Sequence, residues 1–237
     1  MNFAYGGTGV FDTVYHLGPN LTNQIDIFET LIRKSVFNIS DLESSISLVS
    51  VVGNDYSTYA ARNNGSTDQE WLSFISTVVD QITVNLKRIR GLGVGKIAVV
   101  SIQPIGCLPN VTATNSFKQC IERDNSLGFF HGTFLQQAVA KLNIETKHSP
   151  FIILDLYSSF MSVLKNKESI KFEDPLKPCC VGISSAYGCG SVDESGAKKY
   201  VVCEDPKSAF FWDSFHPTHE GWLAVYSALK ETLRKLL

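Results

Sequence analysis

The sequence lacks several features that would assign it to common functional classes. It has no run of five or more basic residues, and 21 lysines and arginines against 23 aspartates and glutamates leave a net charge of −2. This balance gives no electrostatic footprint for nucleic acid, which we therefore exclude as a partner. The longest apolar runs, such as IAVVSI and FIILDL, have the length of buried strands and are far too short to cross a bilayer.

The N-terminus also lacks a signal peptide, because MNFAYGGTGVFD has neither the charged region nor the continuous apolar region of one. Yet the chain carries six cysteines and four N-x-[ST] sequons, at Asn20, Asn38, Asn64 and Asn110. Disulfides persist in the secretory pathway. We therefore expect a secreted protein whose leader lies upstream of Met1, so that these residues are a fragment.

The cysteines do not have the C-x-x-C spacing of a zinc site, and three disulfides are the better interpretation. Their spacing leaves the connectivity open. We prefer a bond between Cys107 and Cys120, because it would close a short loop after the PIGC turn.

Amphipathic helices and short β-branched strands alternate along the chain. Helices are predicted over 20–36, 68–93, 119–146 and 219–237, and strands over 45–53, 96–102 and 151–158. Thr22 or Asn23 is expected to cap the first helix, another helix follows the third strand to about Lys165, and 168–208 is irregular. This order predicts one domain, 1–237, built as a three-layer α/β/α sandwich with a parallel sheet.

The stretch FFWDSFHPTHEGW places Asp213 three residues before His216, on a loop that runs into the last helix. A nucleophilic serine needs a base that titrates near neutrality and a carboxylate that fixes the tautomer of that base. The alternative is that Asp213 caps a local turn and His216 lies on the surface. A metal pair of His216 and His219 lacks a third ligand. The other histidines, His16, His131 and His148, are expected to be structural or surface residues.

Two further stretches contain candidate donors to an oxyanion. In VVGNDY, Asn54 follows a predicted strand, and its side-chain amide can point into a site at the end of that strand. In NFAYGGTG, the backbone N–H of Gly6 or Gly7 can approach a substrate oxygen closely. Both stretches are also rich in turn-forming residues, so a turn without catalytic function is the alternative for each.

Taken in this order, NFAYGG, GNDY and FWDSFHPT resemble the plant GDSL esterase/lipase family of the SGNH hydrolases. SIQPIGCLPN and the cysteine-rich run before the Trp-Asp pair are similar to that family as well. The resemblance covers essentially the whole chain. It implies a flavodoxin-like fold and a secreted monomer that hydrolyses lipid or small-molecule esters, with no metal and no organic cofactor.

Carried over residue by residue, the resemblance implies a role for four residues of this chain. His216 is the general base, and Asp213 is the acid that orients it. Asn54 donates its side-chain amide to the oxyanion, and Gly7 is preferred over its neighbour as the backbone donor.

The nucleophile is the departure from the family. Its serine belongs to a Gly-Asp-Ser-Leu motif after the first strand, and this chain contains neither Gly-Asp-Ser nor G-x-S-x-G. Ser184, Ser185 and Ser191 lie in the cysteine-rich region, away from any predicted strand-to-helix turn, and are no replacement. We therefore expect both the serine and the first strand to lie outside this chain, which leaves an open slot in the sheet or a poorly stable fold.

Two functions remain open from the sequence. In the first, the chain is part of a secreted serine esterase whose nucleophile is supplied by upstream residues. In the second, it is a pseudoenzyme that keeps the ligand cleft as a binding or regulatory protein.

Overall fold

The computed structural model describes residues 1–15, 17–146, 148–165 and 172–237, so the prediction for His16 lies outside the described residues. The helices are α1 (Leu21–Arg33), α2 (Ile39–Glu43), α3 (Gly53–Arg62), α4 (Asp68–Gly91), α5 (Pro109–Thr112), α6 (Glu122–Glu145), α7 (Leu156–Lys165) and α8 (His219–Arg234). The strands are β1 (Ile46–Val49), β2 (Lys96–Val100), β3 (Phe151–Leu154), β4 (Cys180–Gly182) and β5 (Tyr200–Val202).

The chain divides into two compact units. Unit 1 comprises Met1–Ile102, Phe129–Asp155 and Glu231–Leu237, and it contains the whole of the parallel sheet. Unit 2 comprises Gln103–Gly128 and Leu156–Lys230, and it contains β4, β5 and three disulfides. No helix in the part of the chain that the structure describes is long and apolar enough to cross a membrane.

The parallel sheet of unit 1 has the strand order β1-β2-β3, with β2 in the centre. Ile97, Ala98 and Val99 of β2 are fully buried, as is typical of a parallel strand covered on both faces. The helices supply apolar side chains to the same core, among them Ile75 and Leu86 of α4 and Leu135 and Leu142 of α6. The predicted α/β fold with a parallel sheet is therefore confirmed.

The outer edge of β1 is open, because no other described strand pairs with it. Ile46 and Leu48 of this strand are 45% and 64% exposed, although both are apolar. A groove of about 520 Å³ follows the strand, and Met1–Ala4 and α1 contribute to its lining. The described part of the sheet therefore ends at β1 in an open and partly apolar edge.

Several element boundaries differ from the prediction. The side chain of Asn20, rather than Thr22 or Asn23, caps α1 by accepting the N–H of Asn23 at 3.1 Å. The strand predicted over 45–53 ends at Val49, and the following GNDY stretch begins α3. The third strand is likewise shorter, since α7 begins directly after Asp155.

In unit 1, α6 buries His131 completely. Its Nδ1 lies 2.7 Å from the hydroxyl oxygen of Tyr56, and Nε2 has no hydrogen-bond partner among the described residues. Burial lowers the pKa of His131 to about 4. The imidazole is therefore neutral at physiological pH and shares a hydrogen bond with the Tyr56 hydroxyl at Nδ1. His131 is a structural residue of the interior.

We expect His131→Gln to remove part of the acid sensitivity of the fold. Because the folded-state pKa of about 4 lies below the ordinary value of 6.5, the unfolded chain takes up this proton first as the pH falls. The contribution of the neutral, buried His131 to the free energy of unfolding is present in full above pH ~6.5. It is lost as the pH falls to ~4, by about 3 kcal/mol in total. Urea unfolding at about pH 7 and about pH 4.5 measures the difference. His219→Gln, at an exposed histidine, is the matched control; equal pH dependence in both variants would contradict the assignment.

Candidate active site

In unit 2, the predicted acid and base lie in direct contact. The Nδ1 atom of His216 is 3.0 Å from both carboxylate oxygens of Asp213. One of these oxygens, Oδ1, also accepts the backbone N–H groups of Phe215 and His216, each at 2.8 Å. The Asp213 side chain is 24% exposed and the His216 side chain 72%. The loop therefore holds the carboxylate in place and leaves the imidazole accessible.

The electrostatics of this pair suit a carboxylate that orients a histidine. Burial raises the pKa of Asp213, but the hydrogen bonds from the His216 side chain and from the N–H groups of Phe215 and His216 outweigh it, and the net pKa is lowered. An ionised Asp213 accepts a hydrogen bond from Nδ1–H, which leaves Nε2 of His216 to take up a proton. Asp213 also caps its own turn, so the two interpretations of this aspartate describe the same geometry.

The start of α8 fixes the end of the loop. Thr218 donates its N–H to the carbonyl of Phe210 at 2.8 Å, and its hydroxyl oxygen accepts the N–H of Gly221 at 2.9 Å, as a helix N-cap does. A Cβ on Gly221 would lie 2.2 Å from the Phe210 carbonyl oxygen. The glycine of HPTHEGW is therefore required by the close approach of this helix to the chain before Asp213.

The cysteine-rich segment forms hydrogen bonds with the residues at the start of the loop. The N–H of Cys179 donates to the carbonyl of Phe211 at 3.0 Å, and the N–H of Cys180 donates to that of Trp212 at 2.7 Å. Both cysteines are in disulfides, with Cys203 and Cys189 respectively. These bonds anchor the two residues that immediately precede Asp213.

The third disulfide closes the segment that begins at the PIGC turn. This segment contacts the Asp213–His216 loop. Cys107 is bonded to Cys120, as the sequence predicts. Between them, Asn110 donates its N–H to the carbonyl of Ser214 at 3.1 Å. The predicted set of three disulfides is confirmed, and the segments that they close donate backbone hydrogen bonds to the Asp213–His216 loop and to the two residues before it.

In unit 1, Gly6 and Gly7 form the centre of a tight turn. The N–H of Thr8 donates to the carbonyl of Tyr5 at 3.4 Å, and Gly7 has a φ of +82°, which the third position of a type II turn requires. The Gly7 carbonyl accepts the hydroxyl of Thr13 at 2.6 Å. The N–H of Gly7 has no hydrogen-bond partner among the described residues, so it is available to an oxyanion.

Asn54 lies in the first turn of α3 and not in an irregular turn. Its Nδ2 donates to the carbonyl of Thr8 at 2.9 Å, across 46 residues of sequence. A side-chain amide carries two N–H donors, so this bond orients the group and leaves the second donor unused. The structure thus brings Asn54 beside the residue that follows Gly7.

Asp55 is not among the site residues that the sequence predicts. The residue is 3% exposed, and its carboxylate accepts the N–H groups of Val10 and Phe11. Only the structure reveals the contact: a Cβ on Gly9 would lie 2.4 Å from Asp55 Oδ2, so glycine is needed at that position. Asp55 ties α3 to the glycine-rich loop.

Comparison with known proteins adds the family context. Residues 1–229 match the family described as GDSL-like Lipase/Acylhydrolase. A GDSL esterase/lipase of Arabidopsis thaliana is 58% identical over 98% of this chain and 66% of its own length, and a second is 51% identical over 100% and 68%. A third Arabidopsis thaliana protein, named Inactive GDSL esterase/lipase-like protein 25, is 28% identical over 86% of the chain and 47% of its own length. The chain thus spans about two thirds of the length of the first two relatives.

Proposed function

Since the chain belongs to the GDSL lipase/acylhydrolase family, we propose that it provides the base, the orienting acid and the oxyanion donors of a serine esterase that acts on carboxylic esters. The observation that supports this most directly is the hydrogen bond of 3.0 Å between His216 Nδ1 and an Asp213 whose pKa is lowered. On this proposal the nucleophilic serine belongs to a Gly-Asp-Ser motif, which does not occur among these 237 residues.

In the proposed reaction, His216 Nε2 accepts the serine hydroxyl proton as the serine oxygen attacks the ester carbonyl carbon. The imidazolium is stabilised by Asp213 and then gives the proton to the leaving alcohol, so that an acyl-enzyme remains. The Gly7 N–H and the free Asn54 N–H donate to the carbonyl oxygen while it carries negative charge. Water then attacks the acyl-enzyme with His216 again as the base, which releases the carboxylic acid and regenerates the serine.

The three disulfides support a place in the secretory pathway, since such bonds persist there. The proposed substrates are lipid or small-molecule esters, and the proposed state is a monomer. Neither a metal nor an organic cofactor takes part in the proposed reaction.

A fluorophosphonate probe and p-nitrophenyl acetate test the proposal on two forms of the protein. The first is the 237-residue chain. The second is the same chain extended before Met1 by an added segment that contains Gly-Asp-Ser. We expect labelling and hydrolysis only in the extended form, and loss of both when its added serine is replaced by alanine. Labelling of the unextended chain that disappears in His216→Ala would instead place the nucleophile among these residues.

Two observations favour the second candidate, a hydrolase-like binding protein. The 237 residues contain no Gly-Asp-Ser and no G-x-S-x-G, and one relative is named inactive. On this hypothesis the chain binds an ester or its carboxylate product without turning it over. Saturable binding of such a ligand to the unextended chain, together with an inactive extended form, would favour the binding protein over the esterase.

A further inference from the structure

Asp55 is a buried carboxylate held by backbone amides. Its Oδ2 accepts the N–H of Val10 at 3.0 Å, and its Oδ1 accepts the N–H of Phe11 at 2.9 Å. Burial raises the pKa of Asp55 although these hydrogen bonds act in the opposite direction, and no lysine or arginine contributes among the described residues. Burying a carboxylate without a neighbouring cation lowers the stability of the fold, and removing its hydrogen bonds would lower it further. This unfavourable burial occurs where α3, which contains Asn54, meets the loop that contains Gly7.

Two adjacent side chains of α3 bind the same short loop. Asn54 donates to the carbonyl of Thr8, and Asp55 accepts the two consecutive N–H groups that begin at Val10. Gly9 lies between these contacts, and its missing Cβ is what lets the carboxylate approach. The loop is therefore attached to the first turn of α3 on both sides of Gly9.

The chain enters α3 through a strained residue. Val52 is 1% exposed and has a φ of +100° and a ψ of −27°, a left-handed conformation that is unfavourable for a β-branched residue. Such a conformation costs on the order of 1–3 kcal/mol and persists only where surrounding contacts determine it. The Val52 carbonyl accepts the N–H groups of Asp55 and Tyr56 at 3.1 and 3.3 Å. The sharp entry into α3 thus places Asn54 and Asp55 against the loop.

We propose that Asp55 is a positioning residue that keeps the Gly7 backbone N–H and the Asn54 side-chain amide in place as two donors to one oxyanion. The proposal rests on the function proposed above for those two donors. Asp55 is 3% exposed and each of its oxygens accepts an amide of the loop, so we place it behind the loop and not against the substrate. It acts by fixing the loop that contains Gly7 to the helical turn that contains Asn54, since donors must already be aimed at the oxyanion before it forms.

NMR of the 237-residue chain tests the positioning without any need for activity. In Asp55→Asn we expect the Gly7 amide signal and the Asn54 side-chain amide signals to shift or broaden, and the Val10 amide to exchange ~10-fold faster or more. Asn143→Ala is the matched control, because Asn143 exchanges two hydrogen bonds with the backbone of Phe151, also in unit 1. The proposal would be overturned if the Gly7 and Asn54 signals of Asp55→Asn matched those of the wild type while its free energy of unfolding fell as much as that of the control.

Gly9→Ala provides a second variant in which the carboxylate remains. The added Cβ pushes the carboxylate away from the loop, so the same Gly7 and Asn54 signals should move as in Asp55→Asn. Since both changes break one contact, the double variant should move them little further. Independent, additive changes would show that Asp55 does not act through the loop.

Kinetics of the extended form separate this proposal from the proposed function. Asp55→Asn should lower kcat by ~10- to 100-fold with KM nearly unchanged, which is less than the ~10²–10³-fold loss for deleting an oxyanion donor. An unchanged kcat in Asp55→Asn would refute the positioning role. If the extended wild type is itself inactive, the proposed function fails, and the NMR measurements still decide whether Asp55 positions the two donors.

Discussion

In the extended form, His216→Ala and Asp213→Asn are each expected to lower kcat by about 10⁴-fold or more, with a much smaller effect on KM. Without His216, no group on this loop can remove the serine proton. Asp213→Asn keeps an oxygen for the N–H groups of Phe215 and His216. It removes the negative charge that stabilises the imidazolium, and it favours the wrong tautomer of His216.

His219→Ala is the matched control for these variants. It removes an exposed imidazole three residues further on, at the first position of α8. Histidine at that position has no bond to Asp213, so activity should stay within about twofold of the wild type, as for an ordinary surface substitution. Steady-state kinetics with p-nitrophenyl acetate measure all three variants. Equal losses in His216→Ala and His219→Ala, or a loss confined to KM, would contradict the base assignment.

The parts of the site that sequence predicts are those encoded by short-range spacing. The contact of Asp213 with His216 spans three residues of one turn, so the order of the residues nearly determines it. The core strand β2 is likewise predicted, because a short, unbroken apolar run rich in β-branched residues is typical of a parallel strand that is buried on both faces.

The parts that sequence does not predict depend on long-range contacts. Gly53, Asn54 and Asp55 are individually turn formers, yet they begin α3, because the loop at residues 8–11 satisfies the polar side chains of that first turn. The strain at Val52 has no signal in the sequence at all, since valine ordinarily favours extended backbone. Adjacent Cys179 and Cys180 also leave their partners undetermined until the fold brings Cys203 and Cys189 to them.

The double variant Cys179→Ser with Cys203→Ser should lower the free energy of unfolding by about 3.5 kcal/mol. The bond spans 24 residues of sequence. In the chain-entropy account, its removal raises the conformational entropy of the unfolded chain by the amount that closing a loop of that length costs. Because Cys179 and Cys180 donate to the carbonyls of Phe211 and Trp212, we also expect their amides to exchange faster than the global loss of stability explains.

Cys107→Ser with Cys120→Ser provides the comparison, because that bond spans 13 residues and should contribute a similar amount, about 3 kcal/mol. Its local effect should fall instead on Asn110, whose N–H donates to the carbonyl of Ser214. Urea unfolding gives the two free energies, and amide exchange under native conditions locates the local opening. If both variants accelerate the same amides equally, the disulfides stabilise unit 2 only globally. If the sites differ as expected, each disulfide holds the Asp213–His216 loop from its own side.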